Sequence, residues 1–480
     1  MTPDKVRKRT TRDHVRKRTS PADAGKRVTP DDVLKLIDPQ EVVDLALALG
    51  NIDSPTGSEG PAGEFVYEWL GRNGFAPKKY AMIPERFNVA AWIDGSGGGH
   101  SLIFNAHLDT TLRPDAVWSA RDPLDKLYHS AWVEGDSIYG DGVVNDKGPM
   151  AAFLVAAKAI KASRYPLKGD LIVSAVCGEI SREPIEEWQG PLYMSKDLGV
   201  RFMVTHGVVA DYALVAEGTG FGIVGIEPGK AHFKVTILTD TPRYYTPYLP
   251  RPTGLADSPN AIVKATAVIA EFEKWAYDYQ QRNTYKGAMG TIVPKASVNA
   301  IRSGYPFNLT SAPQIASFYV DTRILPGANP MDVRDELRGV LKKVGVEGSV
   351  ELFLYRPGFE AKGAENLIEA IKRSHAQTFS TPPAIVGDPV TSMWRDTNAF
   401  NELGIPAISY APRATSHAST KSFKVKDLTD AALVYARIAM DLCNQSRGSN
   451  VPLGSHPDMR VAASVNQRGR PGVAPNVNRE

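Results

Sequence analysis

Cysteine is nearly absent. Cys177 and Cys443 are the only two in 480 residues, so no disulfide framework is expected and a reducing, cytoplasmic setting is the natural expectation. Missing too is any run of about 18 apolar residues, which leaves no candidate membrane span. The N-terminus lacks the apolar core of a secretory signal. Nor does one sign of charge dominate: the net charge is +3, with 42% hydrophobic and 23% charged residues, the profile of an ordinary globular protein with room for two domains. That small net charge hides an asymmetry. Residues 1–30 carry ten Lys/Arg against three Asp, a local charge of +7 that leaves −4 on the other 450 residues. The arm contains a near repeat at residues 4–10 and 13–19. A basic arm can touch nucleic acid or an anionic surface, but this one has no aromatic residues for base stacking, so it reads as a solvated extension and nucleic-acid binding is not expected. Residues 446–480, rich in Gly, Pro, Asn, Ser and Arg, read as a second disordered segment.

Between these ends, apolar runs repeatedly stop at polar residues. Leu102-Ile103-Phe104 leads to His107 and Asp109, residues 170–176 lead to Gly178 and Glu179, and residues 211–216 lead to Glu217. Helices alternate with them: one starts at Thr29-Pro30, a second carries Phe65, Trp69 and Leu70 on one face, and a third follows Gly148. This is a βαβ rhythm, and it predicts an α/β fold whose mixed, mostly parallel sheet presents chemistry at its carboxyl edge. The character changes after Glu227. Residues 232–238 alternate with period two, and helices over 261–272 and 332–344 are interleaved with strands over 315–321 and 349–354. The expected organisation is a basic arm at 1–30, a catalytic domain in two parts at 31–225 and 355–445, an α+β insert at 226–354 and a tail at 446–480.

Two residues apart on an extended chain, His107 and Asp109 point the same way, so the carboxylate can share a metal with the imidazole or hold it from behind. Such a pair taken alone is commonly structural. Glu179, Glu217 and His417 add imidazole and carboxylate groups at other strand tips and loops, which together form the donor set of a zinc- or manganese-type hydrolytic site.

With these residues in place the chain resembles the metallopeptidases that include aminoacylase, glutamate carboxypeptidase, acetylornithine deacetylase and succinyl-diaminopimelate desuccinylase. The resemblance spans roughly residues 31–445. It is carried by His107-Leu108-Asp109-Thr110, Tyr139-Gly140-Asp141-Gly142 with Asp146-Lys147-Gly148, and Gly178-Glu179-Ile180. It continues through the strand ending at Glu217, Asn299-Ala300-Ile301, Asp321-Thr322-Arg323, Arg395-Asp396-Thr397 and His417. It implies an αβα catalytic domain with an inserted lid that mediates homodimerisation, and a pair of bridged metals. His107 and Glu217 would hold one metal, Glu179 and His417 the other, and Asp109 would orient His107. A water between the metals would lose its proton to a carboxylate.

Departures from the family pattern bear on that chemistry. The bridging aspartate of the family falls at Asn145, and its proton-accepting carboxylate falls at Gly178. Asp146 does not obviously restore the bridge. A register shifted by one would make Glu179 the base and leave Ile180 at the ligand position. One tightly held metal, zinc or manganese, with at most a weak second is the expectation, and Glu183, Glu186 or Glu187 are further candidates for the base. A lid histidine of the family is replaced by the segment around Tyr245, whose phenol could donate to an oxyanion or simply pack the lid surface. Asn299, Arg302, Arg323 and Asp396 are candidates for contacting the substrate, Arg323 being equally suited to an internal ion pair.

The function expected is metal-dependent hydrolysis of a carbon–nitrogen bond in a small carboxylate-bearing molecule, as a deacylase, amidase or dipeptidase. Two alternatives stand beside it. One is removal of an aryl amine, as in the 5-nitroanthranilate aminohydrolase of the wider family, suited by Tyr244, Tyr245, Tyr248 and Trp394. The other is a non-catalytic binding protein on the same fold.

Overall fold

The computed structural model describes residues 27–111, 125–180, 182–240, 242–385, 392–417 and 420–448. Most of the basic arm, Trp118 and nearly all of the tail lie outside the described residues, as does the side chain of His417. Asp38 and Pro39 divide the periodic stretch that follows Thr29. Thr29 caps α1 (Pro30–Leu34) and Asp38 caps α2 (Pro39–Gly50), each side chain accepting a backbone N–H while proline opens the helix. α3 (Gly60–Arg72) buries Ala62, Val66, Trp69 and Leu70.

The chain continues through β1 (Lys78–Ile83), β2 (Arg86–Ile93), β3 (Leu102–His107), α4 (Asp125–His129), β4 (Trp132–Glu134) and β5 (Ser137–Tyr139). Then come α5 (Gly148–Ser163), β6 (Leu171–Val176), α6 (Val200–Thr205), β7 (Tyr212–Val215) and β8 (Ile226–Glu227). A second unit follows: β9 (Gly229–Leu238), α7 (Ala261–Arg282), β10 (Tyr285–Gly287), β11 (Gly290–Ile292), β12 (Ala296–Ser303), β13 (Ile315–Ile324), α8 (Pro330–Val344) and β14 (Gly348–Arg356). The return comprises β15 (Phe359–Glu360), α9 (Glu365–Phe379), α10 (Asp396–Glu402), β16 (Ala407–Ser409), β17 (Ala414–His417), β18 (Thr420–Lys424) and α11 (Val425–Leu442).

Six strands form the central sheet in the order β1-β2-β6-β3-β7-β16, with β6, β3, β7 and β16 parallel and β1 and β2 antiparallel. Alternation along β3 shows why helices cover both faces. Leu102, Phe104 and Ala106 join the core formed with α2, α5 and α11, while Ile103 joins a second core with α6 and α10. The helix α5 is buried on nearly every side, and its alanines at 151, 152, 156, 157 and 159 let it pack closely there. This is the mixed, mostly parallel αβα arrangement read from the sequence. A four-stranded sheet in the order β17-β18-β5-β4, which periodicity did not reveal, lies apart from it. Ser446 and Arg447, assigned by composition to the tail, are held in place: Ser446 bridges to Gly99 and Arg447 lies 2.9 Å from Asp211.

In the second unit the antiparallel order is β12-β13-β9-β14. Ala231, Phe233, Val235 and Ile237 of β9 face α7 and α8, so Lys230, His232, Lys234 and Thr236 project from the opposite face. That polar face engages the segment after β6. Lys230 Nζ donates to Glu183 at 2.7 Å, Lys234 to Glu186, Arg302 to Glu186 and Glu187, and Arg356 Nη1 to Asp197 at 2.9 Å. The hairpin β10–β11 was not foreseen either.

The segment after β6 is also gripped from the central sheet. Arg86, 2% exposed, donates to Glu59 through Nε at 2.8 Å and Nη2 at 2.6 Å, and its Nη1 reaches the carbonyls of Pro191 and Met194. Replacing Glu59 by alanine would strand a buried guanidinium. We expect the Glu59→Ala chain to lose about 3–5 kcal/mol of stability in urea denaturation, as for other buried pairs broken on one side.

Candidate metal centre

The polar residues gather where the parallel strands end. His107 is the last residue of β3, Glu179 follows β6 by three residues, and Glu217 follows β7 by two. Asn145 and Asp146 come from the turn just before α5, where their backbone leaves helical geometry (φ −136° and −140°). Donor atoms of His107, Asp146 and Glu217 all lie within 4.8 Å of one another, and all three residues are buried. Asn145 joins them through Oδ1, 3.1 Å from His107 Nε2.

His107 is aimed from behind. Its Nδ1 lies 2.8 Å from the carbonyl of Asp109 and 3.5 Å from the carboxylate, which turns Nε2 toward the cluster. Asp109 is itself fixed by backbone N–H donors, Glu179 at 3.0 Å and Ile180 at 2.7 Å, and by Thr56 Oγ1 at 2.8 Å. Burial alone would lower the His107 pKa, but the charges of Asp109, Glu179 and Glu217 outweigh it and hold the imidazole above its usual value.

The two carboxylates are different in kind from ordinary buried acids. Both oxygens of Asp146 and Oε1 of Glu217 are buried with no hydrogen-bond partner among the described residues. The other Glu217 oxygen accepts from Arg395 Nε at 2.9 Å. Burial, then the charge of Glu179, pushes the Glu217 carboxyl up to about 8, against the pull of Arg395. Burial, and then Glu217, Glu179 and Asp396, drives Asp146 well above the carboxylate range. Native structures seldom leave such oxygens unsatisfied, and a dication placed among them would satisfy all three with His107 Nε2. The residues present therefore fit one metal ion.

Asp146, which does not obviously restore the family's bridge on sequence grounds, brings a carboxylate to the cluster, with Asn145 offering an amide oxygen beside it. Glu179 stands differently. Its carboxylate and its own carbonyl both accept from Lys196, a buried lysine whose ammonium lies 4.3 Å from the Trp394 ring centre. No sequence motif marked Lys196, which sits in an irregular stretch 17 residues beyond Glu179. Asp396 lies at the start of α10, buried, accepting from Asn105 Nδ2 at 3.0 Å. Burial and then the Glu179 charge hold it up to about 7. Its neighbour Arg395 joins Glu217 to Glu227, so this pair braces the cluster from below.

The remaining candidates are placed elsewhere. Tyr245, 51% exposed, stands against Tyr248 and pairs by backbone with Ser311 on the rim of the second unit. Asn299 is exposed at a bulge in the edge strand β12. Arg323 Nη2 donates to Asp321 at 3.0 Å, the internal pair its position allowed. Glu183, Glu186 and Glu187 are taken by Lys230, Lys234, Arg302 and Arg356 and are not free to act as a base. A cavity of about 570 Å³ opens beside Glu186, Arg302 and Tyr319 and includes none of the cluster residues; the unsatisfied oxygens, which need a cation, are the better guide to the chemistry.

The pH dependence has a definite sign. In the metal-free chain Glu217 keeps its proton up to about pH 8 when folded and loses it near the ordinary 4.5 when unfolded. The folded state then binds more protons across that window, so its stability falls as pH rises from about 4.5 to about 8. A dication needs the ionised carboxylates, so affinity for zinc or manganese should rise over the same window and level above it. Titration calorimetry in buffers of different ionisation enthalpy should show proton release on binding near pH 6, where the metal-free Glu217 is protonated.

Comparison with known proteins places the chain in a family. Residues 103–441 match the family described as peptidase family M20/M25/M40. The chain is 25% identical over 399 residues to the N-formyl-4-amino-5-aminomethyl-2-methylpyrimidine deformylase of Bacillus subtilis, covering 78% of this chain and 87% of that one. Among solved structures, human carnosine dipeptidase 1 shares the fold with a TM-score of 0.63 at 15% identity, over 87% of this chain and 99% of that one. A dinuclear metal-binding peptidase of Bacillus subtilis matches with a TM-score of 0.56 at 14% identity, over 85% and 99% of the two chains. With more than half of its length matched, this chain is a member of peptidase family M20/M25/M40.

Proposed function

We propose that this protein is a metal-dependent hydrolase that cleaves an amide-type carbon–nitrogen bond in a small molecule. One observation carries the reading: Asp146 and Glu217 leave three buried oxygens unpartnered among the described residues, and one ligand atom of each lies within 4.8 Å of one on His107. A protein without catalytic or metal-binding duty has no reason to bear that cost. The deformylase and the dipeptidase among the relatives act on amide-type bonds, which favours this chemistry over release of an aryl amine.

His107, Asp146 and Glu217 would hold zinc or manganese, with Asn145 beside them. A bound dication would supply an acidified water and polarise the scissile carbonyl. The chain's own residues do the rest. Asp109 keeps the His107 ring turned toward the cluster, and Arg395 holds one Glu217 oxygen so that the other stays directed inward. Gly178 can accept no proton, and the acids at 183, 186 and 187 are bound to cations of the second unit. Glu179, beside the cluster, is likewise held by Lys196, so none of these acids is left free as a base and the acidity of the water would rest on the metal itself.

Tyr245 and Asn299 lie on the rim and edge of the second unit, so they would reach a substrate only across a closed cleft or from a second copy. The open edge strand β12 supports a homodimer formed through this unit. The two cysteines, free and buried, fit the reducing cytoplasm.

The test is an assay of N-formyl, N-acyl and dipeptide substrates with and without chelator. We expect release of the free amine, abolished by chelator and restored by zinc or manganese. Ammonia from an aminobenzoate without an acyl product would favour the aryl-amine reading, and no turnover with either metal would favour the binding protein. His107→Ala should lose bound metal and activity together; a fully active variant would remove His107 from the site.

A further inference from the structure

The family resemblance assigns Glu179 and His417 to a second metal. We infer instead that the Lys196 ammonium occupies the role of that second cation, leaving a site for one metal per chain; this rests on the metal-hydrolase reading above.

Gly178 shapes the approach of Lys196. Its φ of +71° belongs to the left-handed region, and a Cβ placed there would sit 2.8 Å from the carbonyl oxygen of Ser195. Any side chain at 178, including the family's proton-accepting carboxylate, would collide with that backbone. The glycine thus does more than delete a base. It admits the backbone at Ser195, and the next residue is Lys196. Arg86 fixes the approach, holding the Met194 carbonyl at 2.7 Å while Glu59 anchors the guanidinium. Two residues beyond Lys196, Asn88 Nδ2 donates to the Leu198 carbonyl at 2.7 Å. Lys196 enters between these two clamps.

Inside, the ammonium is bound to Glu179 twice, at the side chain and at the backbone carbonyl, against the face of Trp394. A dication brought to the same carboxylate would sit beside the ammonium and be repelled by it. Glu179 is therefore satisfied by the protein itself, whereas the oxygens of Asp146 and Oε1 of Glu217 are not. The acids divide into one group that has its cation built in and one that waits for it. Ile180 offers no donor next to Glu179, and Asn145 carries no charge to bridge two dications. Two departures from the family pattern, Asn145 and Gly178, and the buried Lys196 then have one physical meaning.

Metal stoichiometry by elemental analysis, after loading with excess zinc or manganese and desalting, tests this directly. The native chain should retain about one equivalent, and Lys196→Arg, which keeps the charge, should also retain one. Lys196→Met frees Glu179 and should retain a second equivalent, with circular dichroism confirming the fold. Two tight equivalents in the native chain, or one in Lys196→Met, would overturn the inference while leaving the hydrolase reading intact. A native chain that holds none would overturn the hydrolase reading itself. Should Lys196→Met not fold, Glu179→Gln decides: its affinity for the single metal should stay within about threefold, whereas a loss of about 100-fold would make Glu179 a ligand and overturn the inference.

Discussion

Two carboxylates buried without enough positive charge govern this molecule. Asp146 and Glu217 meet beside His107 in a place where water does not reach, and three of their oxygens have no donor. Left alone they hold protons far above the usual carboxylate range. The parallel strands β3 and β7 deliver His107 and Glu217 to the same end of the sheet, and the turn before α5 delivers Asp146. The αβα core, with α5 wedged between sheet and α11, is what makes these loops rigid enough to hold like charges together.

Around that centre the other polar residues serve as restraints. Asp109, held by two backbone N–H groups and Thr56, sets the ring of His107. Arg395 ties Glu217 to Glu227. Arg86 and Glu59 clamp the segment that carries Lys196, and the same segment offers Glu183, Glu186 and Asp197 to the second unit. One irregular stretch after β6 thus meets the candidate metal centre on one side and the inserted unit on the other, so a movement of that unit would be felt at Glu179 and Lys196.

Much of this was legible in the sequence. Apolar runs that end in His107, Glu179 and Glu217 revealed the strands and their carboxyl-edge residues, and period-two alternation at 232–238 revealed the change of architecture. The place of Asp146 could not be read from motif spacing, which counts positions along the chain, whereas the side chain that reaches the cluster depends on the local turn of the backbone at 145–146. Lys196 escaped for a related reason. Its significance comes from contacts with residues 17 and 198 positions away, and nothing local distinguishes a lysine in a loop from any other. The short hairpin β10–β11 and the pairing of β17 and β18 with β5 were not read because strands of three to five residues carry too few alternations to register.

On the reading proposed above, Asp146 would hold the metal with His107 and Glu217, and Lys196 would keep Glu179 from it. A crystal of the metal-loaded protein measured at the absorption edge of the ion tests it most directly. The account predicts one anomalous peak among His107 Nε2, Asp146 and Glu217, with Glu179 still bonded to Lys196. A peak coordinated by Glu179, or one that leaves Asp146 without contact, would contradict it.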